Sequence, residues 1–186
     1  MGWFSIKKND TNRNDLTIFA PITGTSIPLE DVPELIFNQR IVGDGLAIKP
    51  SNGQVMAPCD CVIKEIFKTK HALVLSSIPW NLTIFIHVGI ETMEIGENNI
   101  FKPLVKEGEQ VKKGTPILEF DINELQKKIH TLLTPVIISA ESLSAVSDME
   151  KLQAHVQQIQ HHVSALTYIK ILKINLKNNP HILYII

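Results

Sequence analysis

Two of the seven histidines stand apart because each interrupts an apolar, strand-like run. His71 lies in TKHALVLSS, and His87 lies sixteen positions later in NLTIFIHVGIE. This spacing suits two neighbouring strands joined by a turn at 79–81, so we expect the two imidazoles to face each other. A single ring of this kind is typical of a hydrogen-bonded core histidine, but two facing rings are costly to bury without a function. Surface positions are expected for His130, His155, His161, His162 and His181.

Three kinds of chemistry are open to such a pair. One imidazole can be a nucleophile that carries a phosphoryl group while the second ring hydrogen-bonds the phosphate oxygens. The two rings can instead supply half of a tetrahedral zinc site that outside ligands would complete. A hydrolase base is the weakest interpretation, because no serine or cysteine neighbour fits a triad pattern.

The elements that must position the pair belong to a region rich in strand signals. From 16 to about 136, short β-branched or aliphatic runs alternate with Gly and Pro turn signals such as PSNG. Helical turns are expected only at 31–38 and 121–129. This pattern predicts an all-β fold, an antiparallel β-sandwich or barrel.

The two ends of the chain differ from this region. Residues 1–15 are polar and predict a flexible lead-in, followed by a domain over 16–146 and a divergent C-terminal segment over 147–186. In that segment, apolar spacings of three and four and a capping box of Ser147 and Glu150 predict an amphipathic helix of about five turns. The run YIKILKINL, further along, predicts a possible closing strand.

Composition narrows the class of protein. The chain has 186 residues, 44% of them hydrophobic, with 18 basic against 19 acidic side chains. No Lys/Arg block exceeds two residues, which argues against a nucleic-acid partner. No apolar run approaches the roughly 20 residues of a membrane-spanning helix, and we find no secretory signal. Together with two cysteines expected to be reduced, Cys59 and Cys61, this predicts a cytoplasmic protein.

Six blocks of sequence carry a more specific signal. In order, they are VGDGLAIKP, MAPCDC, FKTKHAL, FIHVGIET, EGEQVKKGTPILEFD and LTPVIIS. They resemble the glucose-specific IIA component of the bacterial phosphoenolpyruvate-dependent sugar phosphotransferase system, a family with a sandwich of the duplicated-hybrid-motif type. The resemblance implies that His87 is the phosphorylated nucleophile, that His71 stabilises the phosphate, and that Thr69 supports His71. It implies no nucleotide, and no G-x-x-x-x-G-K-[ST] loop occurs in the sequence.

The resemblance also implies partner proteins. The phosphoryl donor would be a small histidine phosphocarrier protein, and the acceptor a cysteine of the sugar-specific IIB/IIC permease. An apolar rim suits partners that dock and leave, although core packing is an equal alternative for each of its residues. The rim is predicted to comprise Ile41, Val42, Phe67 and Phe85. The unphosphorylated form would regulate metabolic enzymes or transporters, with a zinc ion shared between His71, His87 and the partner.

Other functions compete with phosphoryl transfer. The chain could be a transfer-inactive regulatory module that only docks target proteins through the shared zinc. A metallopeptidase-like zinc enzyme would need a third protein ligand, such as an H-x-H pair, which the sequence lacks. The EGEQVKKG hairpin is similar to biotinyl or lipoyl carrier domains, but the lysine those domains modify is missing. One departure from the resembling family is Cys61, which stands where that family has glycine.

Overall fold

The computed structural model describes residues 15–95, 99–151 and 170–176. β-strands dominate these residues, and the helices are short. The strands are β1 (Asp15–Phe19), β2 (Gly24–Ile27), β3 (Gly43–Pro50), β4 (Gln54–Met56), β5 (Cys61–Ile66), β6 (Ala72–Ser77), β7 (Thr83–His87), β8 (Phe101–Pro103), β9 (Gln110–Val111), β10 (Pro116–Phe120), β11 (Thr134–Ser139), β12 (Val146–Lys151) and β13 (Lys170–Leu176). The α-helices are α1 (Leu35–Asn38), α2 (Ile122–Gln126) and α3 (Ala140–Leu143), and 3-10 helices occupy Leu29–Asp31 and Thr92–Ile95. The helical turns predicted near 31–38 and 121–129 are confirmed by α1 and α2.

The strands form three sheets in which each described pairing is antiparallel. A seven-stranded sheet has the order β2-β3-β11-β7-β6-β5-β9, and three-stranded sheets have the orders β4-β10-β8 and β1-β13-β12. The prediction of an all-β antiparallel fold is therefore confirmed. No helix in the described ranges is long and apolar enough to cross a membrane.

The seven-stranded sheet is buried on both faces near its centre. In β11, Val136 and Ile138 belong to the main core, whereas Ile137 between them belongs to a smaller cluster on the opposite face. The buried members of this smaller cluster are Leu29, Val32, Phe37, Ala47, Ile90 and Ile137. Half of these come from the 29–37 segment, which therefore packs across one face of the sheet.

The helix predicted from Ser147 is wrong over the residues that the structure describes. Residues Val146–Lys151 form β12, which pairs antiparallel with β13. The Ser147 hydroxyl donates to the Asn175 carbonyl at 2.9 Å, so it does not cap a helix. Backbone pairing with β13 and the packing of Met149 against the core override the local helical pattern.

Some predictions for the two ends of the chain concern residues that the structure does not describe. The remainder of the predicted helix and the polar lead-in before Asp15 lie outside the described residues. Strand β13 falls within YIKILKINL, where the sequence predicts a closing strand. It pairs with both β1 and β12, and so joins the two ends of the described chain in one sheet.

Candidate functional site

The structure brings His71 and His87 into direct contact. His71 immediately precedes β6, His87 ends β7, and the antiparallel register places Ala72 opposite His87. The two Nε2 atoms are 3.1 Å apart, and the ring centroids are 4.6 Å apart with the rings at 77°. The prediction that the two imidazoles face each other is therefore confirmed. The spacing of sixteen residues fits a hairpin in which the first residue of β6 is paired with the last residue of β7.

Thr69 contacts the outer nitrogen of His71. Its hydroxyl forms a short hydrogen bond with His71 Nδ1. The turn between β5 and β6 makes this possible, since Lys70 adopts a left-handed φ of 62° and its backbone N–H donates to the Phe67 carbonyl at 2.6 Å. The predicted support residue is thus placed against the ring that it was expected to hold.

The carbonyl of Gly89 contacts the outer nitrogen of His87. His87 Nδ1 and Gly89 O are 2.7 Å apart, and Gly89 has a φ of 73°, which glycine adopts without strain. Sequence reasoning missed this contact. The only signal for it was a glycine two positions after the histidine in HVGIE.

These contacts fix the proton positions of a neutral pair. A carbonyl only accepts, so His87 must carry its proton on Nδ1, and its Nε2 is left with a lone pair. The hydrogen between the two Nε2 atoms then belongs to His71, whose Nδ1 accepts from the Thr69 hydroxyl. The hydrogen bonds run in one direction, from Thr69 through both rings to Gly89.

Burial keeps both rings uncharged near neutral pH. His71 is fully buried and His87 is 6% exposed. Desolvation, together with the neighbouring His87, lowers the pKa of His71 to about 4. Desolvation also lowers the pKa of His87 to about 4, although the hydrogen bond to Gly89 opposes this shift. The lone pair on His87 Nε2 is therefore available at pH 7.

Aromatic rings surround the pair. The Phe67 ring lies 5.8 Å from His71 and the Phe85 ring lies 5.7 Å from His87, both measured between centroids. Two further rings were not singled out from the sequence: Phe37 is 5.4 Å from His87, and Phe101 is 6.4 Å from His71. Phe37 is fully buried on α1, so this helix covers one side of the site.

The other two predicted rim residues differ in exposure. Val42 is half-buried and packs on the smaller cluster, whereas Ile41 is 59% exposed. Helix α1 adds Leu35, 64% exposed, and Met93 beyond β7 is 65% exposed. Large apolar side chains therefore reach the surface on the two segments that flank the histidines. Sequence reasoning missed Leu35 and Met93.

The metal-ligating capacity of the site is limited to the two imidazoles. Among the residues that the structure describes, no group of three or more His, Cys, Asp or Glu side chains is placed to hold a metal ion. Any metal at His71 and His87 would thus need ligands from elsewhere. A metallopeptidase-like centre still lacks a third ligand within these ranges.

Comparison with known proteins identifies the family. The model for the phosphoenolpyruvate-dependent sugar phosphotransferase system, EIIA 1, matches residues 16–143. The glucose-specific EIIA component of Oceanobacillus iheyensis is 41% identical over 136 residues, which are 73% of this chain and 80% of that protein. The corresponding component of Haemophilus influenzae is 40% identical over 126 residues, 67% of this chain and 74% of that protein. The chain belongs to this EIIA family.

Two further comparisons add context. The glucoside-specific EIICBA component of Staphylococcus carnosus is 42% identical over 123 residues, which are 66% of this chain but 17% of that longer protein. The solved glucose permease IIA of Mycoplasma capricolum superposes with a TM-score of 0.70 at 23% identity, covering 92% of this chain and 99% of that one. The fold is thus that of the IIA proteins. The protein is a phosphotransferase-system component that serves sugar transport.

Proposed function

We propose that this protein accepts a phosphoryl group on Nε2 of His87 and passes it to a sugar permease. The donor is a histidine phosphocarrier protein, and the acceptor is a cysteine of the IIB/IIC component. The observation that carries the proposal is the one-directional hydrogen-bond chain, which leaves a lone pair on His87 Nε2 beside a donor on His71. Fused relatives named EIICBA support the choice of acceptor.

The accepting step needs no base in this arrangement. The P–N bond of the donor phosphohistidine breaks as the lone pair of His87 Nε2 forms a new P–N bond. The proton on Nδ1 stays in place, so the His87 ring gains positive charge. The hydrogen bond to the Gly89 carbonyl then becomes charge-assisted and strengthens.

His71 stabilises the phosphoryl group on His87 and assists its departure to the acceptor. Its Nε2–H points at the nucleophilic nitrogen, so it can turn to a phosphate oxygen once phosphorus occupies that position. The bond from the Thr69 hydroxyl keeps the His71 proton on Nε2. In the donating step the P–N bond breaks, a P–S bond forms to a partner thiolate, and the His87 ring becomes neutral again.

The surroundings of the pair suit transfer between proteins. Only an edge of His87 reaches the surface, so few waters can attack a bound phosphoryl group. Leu35, Ile41 and Met93 expose apolar surface on the segments next to the site, which is the kind of surface a docking partner covers. Such transfers occur in the cytoplasm, which is where we place the protein.

Zinc binding at the same pair is a second proposal, which depends on a partner protein. The two Nε2 atoms lie 3.1 Å apart, and imidazole nitrogens are preferred zinc ligands, so His71 and His87 would hold the ion together. His71 would have to lose its Nε2 proton, and a partner carboxylate and water would complete the site. Because the same lone pair on His87 serves both, zinc binding and phosphorylation exclude each other. This form would regulate enzymes or transporters by docking alone.

A phosphorelay experiment tests the main proposal. The protein is incubated with phosphoenolpyruvate and the general phosphorelay proteins, and acid-labile, base-stable phosphate is mapped by mass spectrometry. We expect one phosphate on His87. The proposal is falsified if His87 carries no label in a relay that phosphorylates a known acceptor in the same tube.

A further inference from the structure

The peptide group between Gly89 and Ile90 is hydrogen-bonded at both of its ends. Its carbonyl accepts from His87 Nδ1 at 2.7 Å, and its N–H donates to the Thr131 carbonyl at 3.1 Å. A peptide group is planar and rigid, so these two bonds together set the direction in which the carbonyl points. This peptide group therefore links the loop that follows α2 to His87 through two hydrogen bonds.

Two side chains fill the space beside the Cα of Gly89. A Cβ placed on this residue would lie 2.5 Å from Ile129 Cδ1 and 2.9 Å from Thr92 Cγ2. Both distances are too short for a real carbon–carbon contact, so these two atoms occupy the space beside the glycine. Gly89 is thus wedged between the loop after α2 and the 3-10 helix that begins at Thr92.

The burial of Thr92 supports a role for its contact with Gly89. Its side chain is fully buried, yet Oγ1 has no hydrogen-bond partner among the described residues. A buried hydroxyl without a partner destabilises a fold, so hydrogen bonding does not account for a threonine here. The part of the side chain that does contact the site is the methyl group against Gly89.

Ile129 is itself held firmly. Helix α2 begins at Asp121, whose carboxylate accepts from the backbone N–H groups of Asn123 and Glu124. Leu125 of this helix is fully buried, and its carbonyl accepts from the Ile129 N–H at 3.2 Å. The side chain of Ile129 is half-buried and packs against the main core, which supports it beside Gly89.

We propose that Ile129 and Thr92 are positioning residues, which wedge Gly89 so that its carbonyl holds the proton on Nδ1 of His87 and leaves Nε2 free. They act through the glycine and do not touch the phosphoryl group. The consequence for transfer rests on the proposed function, whereas the effect on the position of the proton does not. The inference therefore adds two side chains to the site, Thr92 at the end of the block FIHVGIET and Ile129 outside it.

The test is NMR of protein labelled with ¹⁵N in its histidine rings, in the unphosphorylated state. In the wild type we expect His87 to show a protonated Nδ1 and an unprotonated Nε2. In the double variant Ile129→Ala, Thr92→Ser, which removes both wedging groups, we expect the ratio of the Nε2–H to the Nδ1–H tautomer to rise about fivefold to tenfold. The rate at which His87 accepts phosphoryl should fall by a similar factor.

Matched controls separate positioning from general damage. Thr92→Val keeps the wedging methyl and removes the unpartnered hydroxyl, so the wild-type tautomer should persist. Ile122→Ala deletes a half-buried isoleucine from the first turn of α2 and should also leave the tautomer unchanged. An unchanged tautomer in the double variant, or an equal change in Ile122→Ala, would overturn the inference. If wild-type His87 is never phosphorylated, the proposed function fails while the tautomer comparison still decides this inference.

Discussion

Two pairs of buried, titratable side chains lie at opposite ends of strand β6. Ala72 at its start is opposite His87, and Ser77 at its end is opposite Cys61, which lies two residues from Cys59. All four titratable residues are nearly or fully buried. Burial is similar in the two pairs, so it does not distinguish them, and we compare the hydrogen bonds that each pair makes.

The two thiols form a hydrogen bond with each other, whereas each imidazole also forms a hydrogen bond with a residue outside the pair. A hydrogen bond between the thiols raises the pKa of Cys59, with burial adding to the shift, and lowers the pKa of Cys61. Both cysteines are free, as the sequence predicts. The imidazoles are anchored by the Thr69 hydroxyl and the Gly89 carbonyl, which decide where each proton lies. The contacts of Thr69 and Gly89 thus leave His87 Nε2 as the nitrogen without a proton.

The largest effect is expected at the nucleophile. His87→Gln keeps a polar side chain of similar reach but removes the imidazole lone pair, so phosphoryl acceptance should be lost completely. The measurement is incorporation of phosphate from the relay, with the unfolding midpoint of the variant as a control for folding. Residual labelling of this variant on His71 would show that the two rings have been assigned the wrong roles.

A smaller but still large effect is expected at His71. His71→Gln should still accept phosphoryl on His87, because the nucleophilic lone pair remains. Donation to the permease should slow by about 10²- to 10³-fold, which is the usual cost of removing one donor that stabilises transferred charge. Single-turnover assays of the two half-reactions measure this split. Equal losses in both halves would argue that the ring only holds the fold together.

The stability of the protein is expected to depend on pH, because the fold buries both histidines in their neutral form. In the unfolded chain each imidazole titrates near 6.5, and in the folded protein near 4. Between these values the unfolded chain binds more protons, so stability is full above pH 6.5 and is lost as the pH falls toward 4. The shift corresponds to about 3 kcal/mol for each ring, at about 1.4 kcal/mol per pKa unit.

Urea unfolding on both sides of this pH window tests the expectation. The double variant His71→Gln, His87→Gln should lose much less stability on acidification than the wild type does. Stability curves that run parallel for the two proteins would mean that the rings are not held neutral by the fold.

The smallest effect is expected at the thiol pair. Replacing both Cys59 and Cys61 by Ala removes two buried sulfur atoms and should lower the free energy of unfolding by about 1 kcal/mol per site. Phosphoryl acceptance and donation should stay within about twofold of the wild type, because the thiols lie at the far end of β6 from the histidines. A large loss of phosphoryl transfer in this variant would contradict the conclusion that only the histidine pair takes part in transfer.

The sequence predicts the histidine contact well, because that contact depends on local features. A sixteen-residue hairpin brings the rings together. The contact of Thr69 with His71, which the family resemblance implies, is made in the turn between β5 and β6. The Gly89 carbonyl and the buried Phe37 could not be found in the same way. Their positions depend on φ angles and on packing against the far segment around α1, which no short motif records.

The wrong prediction at Ser147 has a similar cause. The apolar spacing from Met149 onwards fits a helix, but strand β13, some twenty residues later in the chain, supplies hydrogen bonds that a local pattern does not include. The contrast is instructive, since local spacing was sufficient for the hairpin of β6 and β7. It failed where the pairing partner was distant in sequence.

The most direct test of the account identifies the atom that carries phosphorus. Protein with ¹⁵N-labelled histidine rings is phosphorylated through the relay, and the phosphorus–nitrogen bond is located by ³¹P–¹⁵N correlation. We predict a bond to Nε2 of His87, with Nδ1 of the same ring still protonated. A bond to Nδ1 of His87, or to either nitrogen of His71, would contradict the direction of the hydrogen-bond chain and the function derived from it.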